Sequence, residues 1–276
     1  MAGTLYLIAT PIGNLGDLSP RAAATLAAVD FIAAEDTRVT VKLLNHLGLK
    51  KPMVSYHRHN AGTRGAELAQ RLLAGEDCAL VTDAGTPAIS DPGEDLVRLC
   101  AGLDIPVTAI PGPCALVNAL AVSGLPTVRF TFEGFLPMNK KNRRAHLDSL
   151  RAEQRTMVFH EAPHKLAATL RDLADCFGTD RRVSLCRELT KLHEEVRRTT
   201  LGEAVAYYQE NNPKGEFVLV VEGAPAVERE ACTLEEGLEL VRSLQAGGAS
   251  TRDAVKEAAA ACGLSRKALY DFVQRQ

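Results

Sequence analysis

Apolar positions along the chain follow two alternating patterns. Short runs of β-branched and other apolar residues predict strands, and longer stretches with apolar residues at helical spacing separate them. In the first half, strands are predicted over 5–10, 31–34, 78–82 and 106–110. A first helix is predicted to begin with Ser19 as N-cap and Pro20 as its first residue, and further helices over 38–47, 61–74, 95–101 and 113–123. Nearly continuous apolar strands that alternate with helices indicate a parallel sheet covered on both faces.

A second alternating block begins near residue 129. Its predicted strands are 129–132, 157–160, 183–186, 196–200 and 216–221, and its predicted helices are 163–177 and 203–211. Between the blocks, residues 138–156 hold six lysines or arginines against two carboxylates. Helices are also predicted over 234–245, 250–261 and 266–273, and the short turn between the last two resembles a helix-turn-helix. We therefore predict α/β domains over 1–124 and 125–225, and a helix-turn-helix-like tail over 226–276.

Composition narrows the possible classes of protein. The hydrophobic fraction of 46% and charged fraction of 24% are those of a globular chain. A net charge of −2 gives no overall positive field, so any contact with nucleic acid must be local. Seven scattered cysteines, none in C-x-x-C spacing, indicate buried thiols in a reducing compartment. The chain begins without a basic leader and has no apolar run near 18 residues, so we expect a cytoplasmic location.

Three loops at the carboxyl ends of predicted strands have compositions that suit ligand binding. Loop 10–17 contains glycine but departs from G-x-G-x-x-G, which makes it a weak dinucleotide signal. Loop 82–93 holds two Asp, two Pro and two Gly, and is longer than a tight connection needs. Loop 110–116 leads into a helix N-terminus, whose free N–H groups can bind a carboxylate. In open α/β sheets ligands bind at this edge. The alternative is that the glycines and prolines only form ordinary connecting turns.

Polar clusters follow other predicted strands. Residues 35–38 carry a charged group that could face a cleft, although Asp36 could equally cap the next helix. Residues 55–60 combine donors, a ring and a cation, which suits phosphate and base contacts, or a plain surface loop. Glu133 and residues 187–195 also lie at strand ends, where they could line a cleft or form a solvated face.

Residues 160–164 match the zinc-hydrolase pattern H-E-x-x-H. That chemistry needs both histidines on one face of a continuous helix. Here His160 ends a predicted strand and Pro163 is predicted to begin a helix. We therefore predict no metal site at this pattern.

Taken together, nine segments resemble the bacterial ribosomal RNA small-subunit cytidine 2′-O-methyltransferases, a family of the tetrapyrrole-methylase-like (class III) superfamily. The segments are LYLIATPIGNLGDLSPRA, AEDTR, SYHRHN, LVTDAGTPAISDPG, IPGPCAL, FEGFLP, FHEAPHKL, RELTK and GEFVLVVEG. The resemblance covers nearly the whole chain. It implies two α/β domains of the tetrapyrrole-methylase type with S-adenosylmethionine in the cleft between them, and a homodimer. It also implies methylation of the ribose of one cytidine in the decoding region of 16S rRNA.

The resemblance also implies which residues contact the cofactor. They lie in the three loops and in the second domain: Pro11, Asp83, Ala84, Gly85, Ser90, Asp91, Pro111, Gly112, Pro113, Cys114, Ala115, Leu116, His160 and Glu161.

The implied reaction is an in-line displacement, in which positioning supplies much of the catalysis. A ribose 2′-OH also needs a proton acceptor, for which the candidates are Glu35, Asp36, His57, Asp83 and Glu133. We rank Glu35 and Asp36, with Arg38 as orienting group, first and Glu133 second. RNA contacts are predicted for basic and polar side chains in three segments: Arg58, His59, Asn60, Lys140, Lys141, Arg143, Arg144, Arg187 and Lys191.

Other functions remain open at this point. The same scaffold could methylate a small molecule such as a tetrapyrrole. Such an enzyme would have little need for the basic stretch and the helical tail. The chain could also be a non-enzymatic regulator that binds nucleic acid through its tail, although the tail is neutral overall. A nicotinamide-dependent enzyme is disfavoured by the missing G-x-G-x-x-G.

Overall fold

The computed structural model describes residues 1–225 and 232–275. The chain divides into two compact units, Met1–Ala224 and Pro225–Gln276. The first unit holds two five-stranded sheets, and the second is helical. The predicted start of the tail at residue 226 lies outside the described residues.

The first sheet is wholly parallel, as predicted, and its strand order is β3-β2-β4-β1-β5. Its strands are β1 (Leu5–Ile8), β2 (Phe31–Ala34), β3 (Met53–Ser55), β4 (Cys78–Val81) and β5 (Val107–Ile110). The helices between and after them are α1 (Pro20–Ala28), α2 (Thr37–His46), α3 (Ala61–Leu73), α4 (Glu94–Gly102) and α5 (Ala115–Val122). One apolar cluster includes Leu5 with Leu68 of α3, and another includes Ile8 with Leu26 of α1. Both faces of the sheet are therefore covered, again as predicted.

The second sheet differs from the first because most of its pairs are antiparallel. Its order is β6-β7-β10-β8-β9, and only β6 and β7 run parallel. The strands are β6 (Phe130–Phe135), β7 (Thr156–Glu161), β8 (Arg182–Arg187), β9 (Glu195–Thr200) and β10 (Phe217–Val221). The helices are α6 (Lys140–Ser149), α7 (Pro163–Phe177) and α8 (Leu201–Glu210). In this half of the chain the alternation of strands and helices predicts the α/β class, but it does not predict the relative directions of the strands.

Helix α5 follows β5 of the first sheet and packs on the second sheet. Leu116 and Leu120 of this helix share an apolar cluster with Val158 of β7 and Val218 of β10. The opposite face of the second sheet packs against α7 and α8. The N-terminus of α5 is thereby held at the junction of the two sheets.

In the second unit, three helices surround a small core. They are α9 (Leu234–Ala246), α10 (Thr251–Cys262) and α11 (Arg266–Val273), close to the predicted ranges. Val241, Val255 and Leu269 are fully buried between them. Gly263 ends α10 at a φ of +65°, which a glycine adopts without strain. In the described ranges, no helix is both long and apolar enough to cross a bilayer.

Candidate active site

Hydrogen bonds join the three predicted ligand loops at one edge of the first sheet. The backbone N–H of Thr10 donates to the Gly85 carbonyl at 2.9 Å, and the N–H of Gly85 donates back to Thr10 at 3.0 Å. The Thr86 hydroxyl donates to the Pro113 carbonyl at 3.1 Å. The loops after β1, β4 and β5 therefore form one connected surface.

The loop after β4 has a strained backbone. Ala88 and Ser90 have φ values of 68° and 63°, in the left-handed region that non-glycine residues rarely occupy. Such conformations persist where the surroundings enforce them, and they cluster at ligand sites. Gly93, at a φ of 140°, packs so closely that a Cβ there would lie 2.8 Å from Leu80 Cδ2. The loop is thus held in one shape by its own contacts.

A cavity of about 420 Å³, the site cavity, opens between this edge and the second sheet. Nine of the fourteen predicted cofactor residues line it: Ala84, Gly85, Ser90, Asp91, Cys114, Ala115, Leu116, His160 and Glu161. Pro11 and Asp83 instead line a smaller cavity of about 240 Å³ beside α2. Pro111, Gly112 and Pro113 belong to neither lining. A Cβ on Gly112 would lie 3.0 Å from Ala9 Cβ, so this turn packs on the residue that follows β1.

The second sheet supplies a wall from two strands that run in opposite directions. Antiparallel pairing places Val218 opposite His160 and Phe217 opposite Glu161, at the end of β7. Residues 216–218 and Phe135 line the site cavity and carry no role in the sequence-based assignment. These residues belong to the segments GEFVLVVEG and FEGFLP, which carry the family resemblance. Their position in the cavity wall could not be predicted because it depends on the direction of the strands.

His160 presents a neutral imidazole to the site cavity. Its ring packs edge-on against Phe132 and Phe135, with centroids 5.1 and 5.4 Å away. Burial lowers the pKa of His160, against a weaker opposing effect of Glu216. Its buried Nε2 has no hydrogen-bond partner within residues 1–225 and 232–275. A ligand in the cavity could satisfy this nitrogen.

The H-E-x-x-H pattern is divided between two elements, as predicted. His160 belongs to β7 and Pro163 begins α7, so the two histidines do not share a helical face. Within the described part of the chain, no group of three His, Cys, Asp or Glu side chains could hold a metal ion.

Glu161 is a buried carboxylate at the head of a hydrogen-bonded chain. Its Oε1 accepts from the Ala162 N–H at 2.8 Å, and its Oε2 accepts from the Thr169 hydroxyl. Arg143 donates from Nη2 to Thr169 Oγ1 at 2.8 Å and from Nε to Asp172 at 2.5 Å. Arg143 is thus used inside the protein, although its sequence context predicts an RNA contact.

Asp36 is the N-cap of α2. Its Oδ1 accepts from the Arg38 N–H at 2.8 Å, and the Arg38 guanidinium donates to both carboxylate oxygens. These hydrogen bonds lower the pKa of Asp36 to about 2. The capping alternative therefore describes Asp36 correctly, and so acidic a group is a weak base for a hydroxyl proton.

Glu35, Asp83 and Asp91 lie close to one another at the same edge. The Asp83 N–H donates to Glu35 Oε2 at 3.4 Å, and Asp83 Oδ1 accepts from the Asp36 N–H at 3.1 Å. Burial, with the Glu35 charge in second place, raises the pKa of Asp91 to about 6. Asp91 lines the site cavity, so it combines position with basicity suited to proton transfer near neutral pH.

Glu133, the second-ranked catalytic candidate, is engaged elsewhere. It lies in a bulge of β6 between Phe132 and Gly134, and its Oε2 is 2.9 Å from Nε2 of His146 on α6. It is absent from the lining of the site cavity.

The predicted RNA-contact residues fall into two groups. Solvent-exposed members are His59, Lys140 and Lys141, together with Arg58, which donates to the Ser90 carbonyl, and Arg144, which pairs with Asp148. The others are engaged within the protein: Asn60 holds the turn at His57, Arg143 joins the chain from Glu161, Arg187 pairs with Glu195, and Lys191 pairs with Glu188 and Glu216. The Lys191 stem also covers Gly13, where a Cβ would lie 2.4 Å from its Cγ.

Comparisons with known proteins cover the whole chain. The family model for tetrapyrrole (corrin/porphyrin) methylases matches residues 4–205, and that for the RsmI C-terminal HTH domain matches 233–276. Among the relatives, the ribosomal RNA small subunit methyltransferase I of Synechocystis sp. is 51% identical over 98% of this chain and 97% of its own length. The protein of that name from Pseudomonas aeruginosa is 44% identical over 100% and 98%.

Solved structures share the fold at much lower identity. Uroporphyrin-III-C-methyltransferase from Thermus thermophilus superposes with a TM-score of 0.56, at 19% identity, over 79% of this chain and 94% of its own. A diphthine synthase gives a TM-score of 0.59 at 12% identity, over 80% and 90%. The predicted fold class is confirmed. Because full-length relatives are 44–51% identical in sequence, the chain belongs to the tetrapyrrole methylases and, among them, to the ribosomal RNA small subunit methyltransferase I family.

Proposed function

We propose that this chain transfers the methyl group of S-adenosylmethionine to the ribose 2′-OH of one cytidine in the decoding region of 16S rRNA. The observation that carries the proposal is full-length similarity to ribosomal RNA small subunit methyltransferases, through both the α/β unit and the tail. The fold alone would not suffice, because distant proteins of this fold carry names with other substrates.

The residues of the site cavity fit the cofactor. His160 offers a buried nitrogen that lacks a protein partner among the described residues. The first N–H groups of α5 are open to a carboxylate, since its N-cap Cys114 makes no side-chain cap. Ile12, Leu116 and Phe135 supply apolar wall for an adenine ring and a thioether. When bound, S-adenosylmethionine supplies an electrophilic methyl group on a sulfonium.

The chain's own residues then orient the acceptor and remove its proton. Apolar side chains line part of the cavity, and the joined loops fix the positions of the polar groups. We assign the proton acceptor to Asp91, whose burial, with the Glu35 charge in second place, raises its pKa to about 6. Asp36, with Arg38, is assigned to the cap of α2, and Glu133 to the contact with α6.

The decisive experiment is labelled-methyl transfer from S-adenosylmethionine to small ribosomal subunits from a strain that lacks this gene. We expect a single 2′-O-methylcytidine in the decoding region, and parallel assays with naked 16S rRNA identify the preferred form of the substrate. Cofactor binding without transfer to either RNA would overturn the proposal and direct attention to small molecules.

Three further assignments belong to the proposal. We place the domain boundary between the two sheets at 124/125, the enzyme in the cytoplasm, and the assembly as a homodimer. The first follows from the change of sheet, and the other two rest on the sequence and its resemblance. Sedimentation equilibrium of the purified chain tests the dimer, and a monomer at micromolar concentration would contradict it.

A further inference from the structure

Helices α6 and α7 flank a groove of about 600 Å³, separate from the site cavity. We call it the α6–α7 groove. Its floor is apolar and includes the buried Leu136 and Leu147, while the exposed Met138 lies along its rim with Lys140 and Arg144 of α6 and Lys165 of α7. A groove with an apolar floor and cationic rims is chemically suited to a chain of sugars, bases and phosphates.

The charge on the rim is available to an outside partner. Neither Lys140 nor Lys165 forms an ion pair with any residue that the structure describes. Arg144 contacts Asp148 at 3.2 Å, but its side chain is 67% exposed, and a solvated pair of this kind is weak. The acidic members of the lining are Asp172, which Arg143 already neutralises, and Asp175. The rim is therefore net positive.

The groove and the site cavity are lined in part by neighbouring residues of β6 and the turn after it. Phe135, at the end of β6, lines the cavity and is 57% exposed, and the next residue, Leu136, lines the groove. The hydrogen-bonded chain from Glu161 through Thr169 to Arg143 links the lining of the cavity, at Glu161, to the lining of the groove, at Arg143. The two sites are therefore joined through β6 and through this hydrogen-bonded chain.

We propose that the α6–α7 groove binds the single RNA strand that flanks the methylated nucleotide, with phosphates on Lys140, Arg144 and Lys165. This inference rests on the proposed function. This set of phosphate contacts differs from the one predicted from the sequence: it leaves out Arg143 of the basic stretch and adds Lys165 of α7. The exposed thioether of Met138 provides the apolar surface for a base or ribose.

The test is a triple variant, Lys140→Gln/Arg144→Gln/Lys165→Gln. We expect KM for small ribosomal subunits to rise at least tenfold, with the affinity for S-adenosylmethionine and the melting temperature unchanged. Binding to a single-stranded RNA oligonucleotide should become less dependent on salt. The slope of log K against log salt concentration should be smaller in magnitude by about 2, because each of the three phosphate contacts accounts for about 0.7. The matched control is Lys50→Gln/Arg98→Gln/Arg171→Gln, three exposed cations outside the groove.

A second variant tests the apolar part of the rim without removing a cation. Met138 is 83% exposed, so Met138→Glu should fold normally while placing a negative charge in the groove and weakening RNA binding. An unchanged salt slope in the groove triple variant, or an equal loss in the control triple variant, would overturn the inference. RNA binding that depends on the groove but leads to no methylation would support the groove and overturn the proposed function instead.

Discussion

The hydroxyl of Thr169 joins the site cavity to α6, and removing it should have a measurable cost. Thr169 is fully buried; its hydroxyl donates to Glu161 and accepts from Arg143. Valine has the same shape, so Thr169→Val leaves the packing intact and removes only the two hydrogen bonds. Glu161 Oε2 and one Arg143 N–H then lose this partner.

The expected loss follows from the charge of both partners. Hydrogen bonds to charged groups contribute about 1.5–3 kcal/mol, and buried groups left without partners cost about 1–3 kcal/mol. We expect Thr169→Val to lower the free energy of unfolding by about 3 kcal/mol, which corresponds to a melting temperature lower by roughly 6–12 °C in a unit of this size. Thr169→Ser keeps the hydroxyl and loses one methyl group, which costs about 1 kcal/mol.

The assay is thermal unfolding by differential scanning calorimetry, combined with calorimetric titration of S-adenosylmethionine. Thr169→Val should also raise the Kd for the cofactor, because Glu161 is freed from its fixed orientation, whereas Thr169→Ser should bind as the wild type does. Equal destabilisation by serine and valine would show that the methyl group, not the hydroxyl, stabilises this region. That result would refute the role assigned to the hydrogen-bonded chain.

Three other substitutions probe the site. Because the pKa of Asp91 is raised to about 6 in the fold, its ionisation destabilises the native state as pH rises above its ordinary value of 3.8; Asp91→Asn should therefore raise the melting temperature at pH 8 and not at pH 4. Asp36→Ser should keep both the α2 cap and turnover, while Asp36→Ala should lower the melting temperature; loss of turnover in a folded Asp36→Ser variant would restore its catalytic assignment. Gly13→Ala should displace Lys191 from Glu216 and raise KM for the cofactor, and unchanged kinetics would contradict that contact.

Features that depend on neighbouring residues could be predicted from the sequence. Ser19 caps α1 and Pro20 begins it, Pro163 begins α7, and β2 spans the predicted residues. Each follows from a cap, a proline or a buried run that acts within a few residues. Strand β3 was missed because it has three half-buried residues, too few to show a pattern.

Features that depend on distant pairing could not be predicted. Strand β10 inserts between β7 and β8, and no local pattern specifies that position or its direction. Helix α6 was missed because Leu147 is its one buried residue, so it lacks an apolar stripe. For the same reason the sequence could not separate Arg143, which turns inward, from Arg144, which faces solvent.

The antiparallel β7–β10 pairing makes the active site sensitive to chain length in a distant connection. Val218 faces α5 and Phe217 faces the opposite core, so a slip of one residue would exchange the two sides. An insertion or deletion next to Gly215, whose φ of +83° sets the entry into β10, would shift the wall beside His160 directly. Length changes in evolution or engineering should therefore be tolerated away from this entry, and excluded at it even though it is more than 50 residues from His160 along the chain.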